Sequence, residues 1–105
     1  MKEERNKEIR QLEATLALIS PKVFNKESPL PLAIGIHDEI NKAFPKSSLK
    51  LIRQTLKRWT KREGYHRAVV ANQWRYDLNG EQKGEVSDEH RVFSAGRVDE
   101  KAAAV

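Results

Sequence analysis

The chain has no cysteine among its 105 residues, which excludes disulfides, thiolate metal sites and cysteine nucleophiles and fits a reducing interior such as a bacterial cytoplasm. Long apolar runs are missing too. No segment approaches the roughly 20 residues needed to span a bilayer, and the charged start MKEERNKEIR is unlike a secretory signal. A soluble, cytoplasmic protein with no membrane partner is expected. Catalytic motifs are also lacking: His37, His66 and His90 have no second ligand at helical metal spacing, and there is neither a glycine-rich phosphate loop nor a nucleophile elbow. No enzymatic turnover, cofactor, metal or small-molecule substrate is expected. Asp38-Glu39 and Asp88-Glu89 are neighbours in sequence, so on a helix they diverge and read as solvated faces. His66 and His90 are expected to make hydrogen bonds near a sheet.

What the chain has in plenty is positive charge, unevenly placed. The formal charge is +5, yet Pro45 to Arg75 holds nine basic residues (Lys46, Lys50, Arg53, Lys57, Arg58, Lys61, Arg62, Arg67 and Arg75) against Glu63 alone, or +8. The flanking segments together are therefore net acidic. This points to a localised polyanion-binding surface on one compact domain, too short for two lobes and a catalytic cleft.

Hydrophobic spacing outlines the elements. Ile9, Leu12, Leu16 and Ile19 recur at helical spacing until Ser20-Pro21, giving an amphipathic first helix over residues 1–20 that docks on the core or pairs with another copy. Two prolines keep ESPLPLAIGI extended. A second helix is expected from Gly35 to Phe44, with Ile36, Ile40 and Phe44 inward. Ser47 or Ser48 can cap a third helix running to about Arg62, after which Gly64 ends it. On that helix Leu49, Ile52, Leu56 and Trp59 share one face, and Lys50, Arg53, Lys57 and Lys61 form a stripe on another. YHRAVVA reads as a strand, WRYDL as its antiparallel neighbour, and GEV as a third short strand after the Asn79-Gly80 turn. Ser87 can cap a final helix whose first turn carries Asp88 and Glu89. The expected fold is α+β: a mostly helical single domain of four to five helices with a small antiparallel β-hairpin or three-stranded sheet.

The third helix carries the strongest functional signal. Seven basic residues from Lys46 to Arg62 have no acid among them, so the helix forgoes intrahelical ion pairs and suffers like-charge crowding that an anionic partner would relieve. Its serine-rich start adds backbone amides and the positive end of the dipole, a natural phosphate site. Helix three in a major groove would make the protein a DNA-binding repressor. Phosphate contacts alone would suit A-form RNA, with Tyr65, Trp74 and Tyr76 as stacking surfaces for single strands. Trp59 and Trp74 are expected in the core. A basic module docking on an acidic protein is a third alternative.

Several motifs in order, PLAIGI, an arginine-bearing third helix, Tyr65, WRYDLNG, and GEVSDEH with Ala95 beyond it, resemble the FinO/ProQ family of bacterial RNA-binding proteins over Pro21 to Arg97. The resemblance implies an RNA chaperone that grips a terminator-like hairpin and its single-stranded 3′ tail, stabilising small RNAs or promoting their pairing with mRNAs. It implies a FinO/ProQ-like RNA-binding domain over residues 21–97, with residues 98–105 as a tail. By motif, Tyr65 and Arg75 match positions of a pocket for the RNA 3′ end. Arg53 and Lys57 match basic positions on the third helix, with Ser47, Ser48 and Lys50 at its start. Lys46, Arg58 and Lys61 extend the basic surface, and Asp77, on the strand face of Arg75, is expected to orient that guanidinium or to accept a hydroxyl proton in a hydrogen bond. A monomer is expected. The sequence departs from the family at Ala33, where many relatives carry lysine. It also shows no long basic extension, so strand-exchange activity is expected to be weak.

Overall fold

The computed structural model describes the backbone of residues 2–104 and side chains up to residue 100. Helix α1 (Lys2–Ile19) buries Ile9, Leu12, Leu16 and Glu13. Its apolar stripe packs on the protein's own core, beside α3 (Leu49–Thr60). The segment after it is held extended by Pro29 and Pro31, because the ring of each fixes φ. Gly35 then takes φ 86° and starts α2 (Ile36–Ala43), which buries Ile36 and Ile40. Ser48 caps α3, its hydroxyl accepting the Leu51 N–H at 3.1 Å, as a serine in extended conformation at that place does. Phe24 and Trp59 meet in the core with ring centroids 5.3 Å apart.

The segment EGYHRAVVA is not a strand. It forms α4 (Glu63–Ala71), burying Tyr65, His66, Ala68 and Val69. Helical spacing puts those side chains on one flank, while Ala68 and Ala71 favour a helix over a strand. Gly64 accordingly lies inside the first turn of α4 instead of ending α3, which stops at Thr60.

The sheet among the described residues has two antiparallel strands, β1 (Trp74–Tyr76) and β2 (Gln82–Glu85), with Trp74 opposite Glu85 and Tyr76 opposite Gln82 around a bulge. Beside β1 runs the proline segment, not α4. Leu32 bridges Tyr76 in parallel, with Ala33 N–H donating to Tyr76 O and Tyr76 N–H to Pro31 O, both at 2.8 Å. Helix α5 (Asp88–Ala104) closes the fold against α4. Helices α1 to α4 and the hairpin thus share a core that runs from Leu16 through Ile40, Ile52 and Trp59 to Tyr65 and Val86, with α5 laid against α4.

Candidate functional site

Two features lie on connected elements. The first is the outer face of α3. Lys50, Arg53 and Lys57 are exposed there, with Lys46 in the turn before it. Among the described residues none of these four is in an ion pair. Ser47 is half-buried and donates its N–H to Phe44 O at 3.0 Å, which sets the turn that presents the α3 amino end. Lys61 is exposed at the other end of the helix. Arg58 is exposed but lies apart from this stripe, lining a cavity against α1. The reason is angular: at 100° per residue Arg58 falls about 80° from Lys50, toward the α1 side.

The second is a pocket of about 330 Å³ walled by Thr60 of α3, Tyr65, His66 and Val69 of α4, Arg75 of β1, and His90, Phe93 and Ser94 of α5. Arg75 is only 8% exposed, so this strand turns its arginine inward while Trp74 and Tyr76 stay half-buried. The core position expected for Trp59 is filled, and that for Trp74 only in part. Arg75 Nη1 donates to Leu32 O at 2.8 Å, and Nη2 donates to His90 Nδ1 at 2.6 Å. A guanidinium only donates, so His90 Nδ1 is the acceptor and Nε2 carries the hydrogen. Arg75 Nε is buried with no partner. Tyr65 OH accepts the Leu32 N–H at 3.1 Å, so Tyr65 and Arg75 hold the two backbone polar groups of the same residue, Leu32. His66 Nδ1 and Ser94 Oγ are 3.0 Å apart, both residues being buried.

Asp77 belongs to neither feature. Its Oδ1 accepts the N–H groups of Asn79 and Glu81 at 2.9 and 3.0 Å, so the carboxylate stabilises the hairpin turn, as aspartate does in Asx turns. Among the described residues no carboxylate pairs with Arg75. The pocket also includes Phe93 and Ser94, which sequence reasoning passed over. The signal was present: His90, Phe93, Ser94 and Arg97 recur at helical i, i+3, i+4 spacing on the element that covers the pocket. Thr60 at the pocket and Lys50 at the helix start are ten residues apart on α3, about 15 Å along its axis. The pocket and the amino end of α3 are therefore two places, joined by the basic stripe.

Among the described residues no helix is long and apolar enough to cross a membrane, and no cluster of three metal-ligating side chains occurs. The fold has close counterparts. A crystal structure of a FinO-like RNA chaperone from Neisseria meningitidis superposes with a TM-score of 0.79 at 26% identity, covering 91% of this chain and 80% of that one. The solution structure of a ProQ homologue from Legionella pneumophila, 22% identical, shares the fold with a TM-score of 0.71 over 90% of this chain and 83% of its own. In sequence, the fertility inhibition protein of Escherichia coli is 36% identical over 84 residues, which is 75% of this chain and 45% of that protein. The chain thus spans less than half the length of that relative. A model of the ProQ/FINO family matches residues 6–105, taking in most of α1, the basic stripe and every wall of the pocket, and on that match the chain belongs to the ProQ/FINO family.

Proposed function

We propose that this chain is a cytoplasmic RNA chaperone that binds terminator-like hairpins through their base and single-stranded 3′ tail, and that its partners are small RNAs and mRNAs. The observation that carries this reading is Arg75: a buried guanidinium with no anionic partner among the described residues, standing in the wall of an open pocket. Burying an unpaired charge is costly unless an anion reaches it. A terminal phosphodiester or ribose entering the pocket supplies acceptors for the Arg75 guanidinium edge that lines it and for His90 Nε2–H, while Lys46, Lys50, Arg53 and Lys57 meet duplex phosphates on the adjoining face. Ser47 and Ser48 shape the α3 amino end toward a phosphate. The RNA-binding surface lies within residues 21–97, and the protein acts as a monomer without turnover.

The test is a titration with one hairpin in two forms, its 3′ oligouridine tail free or its terminal hydroxyl blocked by a phosphate. Blocking is expected to weaken binding at least about tenfold, or about 1.4 kcal/mol. Equal affinities would leave only the phosphate grip of α3 and would refute end recognition.

A further inference from the structure

A larger cavity lies elsewhere, between α1, the segment after it and α3, with a volume of about 630 Å³. That is within the range of small-molecule sites, roughly 300–1,000 Å³. Its walls are mostly apolar, formed by Ala14, Ala17, Pro21, Phe24 and Trp59, with Leu18 at 82% exposure beside them. Three cations, Arg10, Lys26 and Arg58, line the same cavity. Among the described residues none of the three is in an ion pair. The only acid in the lining, Glu13, is taken up by Arg62 at 3.1 Å. Trp59, 2% exposed, has an indole Nε1 with no hydrogen-bond partner, an unusual state for a buried donor.

We propose that this cavity binds a small organic acid, a flat apolar body carrying one carboxylate. The apolar walls take the body, beside Phe24 and the two alanines, and Arg10, Lys26 and Arg58 take the carboxylate. A polypeptide partner fits less well, because the site is a concave cavity and not a broad face. A phosphate dianion fits less well too, because its second charge would be desolvated among apolar walls and beside Glu13. The proposal is independent of the RNA reading, since the cavity shares no residue with the pocket of Arg75.

The test is a titration of the full chain with 2-naphthoate, followed by the two indole N–H cross-peaks in a nitrogen-15 correlation spectrum. Saturable binding that moves the Trp59 signal and leaves that of Trp74 in place is expected. The neutral 2-naphthalenemethanol should bind at least about fivefold more weakly. Ala17→Phe, which fills the cavity, should abolish the shift, and Arg10→Gln with Lys26→Gln should weaken it severalfold. Equal affinity for the acid and the alcohol, an undiminished shift in a folded Ala17→Phe, or adenosine monophosphate binding as tightly as naphthoate would overturn the proposal. Should Ala17→Phe fail to fold, the acid-against-alcohol comparison in the unaltered chain still decides.

Discussion

Arg75 has two duties that a single substitution cannot separate. It ties β1 to the proline segment through Leu32 O and faces the pocket with the rest of its guanidinium. Arg75→Ala is therefore expected to lower stability by about 1–3 kcal/mol, the effect of leaving a buried carbonyl unpartnered, and urea denaturation measures it. A loss of RNA binding in that variant is interpretable only against this baseline. His90 is a cleaner probe: it is exposed, and its removal leaves the Leu32 contact intact. His90→Ala is expected to weaken binding of the free-ended hairpin severalfold, with a smaller loss of stability than Arg75→Ala because only the part-buried bond from Arg75 Nη2 is given up. Gly35 tests backbone conformation alone, since a Cβ there would meet nothing within 4 Å while φ is 86°. Gly35→Ala should cost about 1 kcal/mol by denaturation, the penalty of a left-handed alanine.

At the scale of elements, α3 is divided by angle into three parts. One face enters the core with Ile52, Thr55 and Trp59, one turns toward α1 with Arg58, followed by Arg62 just past the helix end, and one carries the exposed stripe. Arg62 is occupied, paired with Glu13 and stacked 4.7 Å from the Trp59 ring centroid. The stripe is not. Replacing Arg53 and Lys57 together by alanine should reduce the salt dependence of RNA binding, lowering the log-log slope by about 1 for each phosphate contact removed. Stability should stay within about 0.5 kcal/mol, as for surface positions without partners. An unchanged slope, read from titrations at several salt concentrations, would remove this face from the RNA interface.

Over the whole molecule, α1 is a structural member of the domain and not an appendage. Ile9, Leu12 and Leu16 belong to the common core, and Leu16 is wholly buried. Leu16→Ala is expected to cost about 3 kcal/mol, within the range for buried leucines. A fragment beginning at Pro21 should lose cooperative unfolding by calorimetry, because the buried faces of α3 would lose their cover. A fragment that unfolded cooperatively at the same temperature as the full chain would refute this role for α1.

Much of this organisation was legible along the chain. Strong periodicity located α1, α2 and α3, Ser47 or Ser48 marked the α3 cap, which Ser48 fills, Asn79-Gly80 marked the turn, and the concentration of charge between Pro45 and Arg75 marked the basic surface. Each of these is set by neighbours within a few residues, so local sequence suffices. The fate of YHRAVVA was different. Valines and aromatics give a short run fair strand character, and only its packing against α5 and the core selects the helix. With that segment helical, the place beside β1 passes to Pro31–Ala33, where Pro31 has no N–H to donate but supplies its carbonyl and Ala33 supplies an N–H. The pocket is likewise a product of tertiary structure. Thr60, Tyr65, Arg75 and His90 come from four elements, and spacing along the chain says nothing about which of them meet. Local sequence determined α1, α2 and α3, the turn and the charge. Only the packed fold decided that Arg75 faces inward, that Asp77 serves the turn, and that Arg58 faces a second cavity.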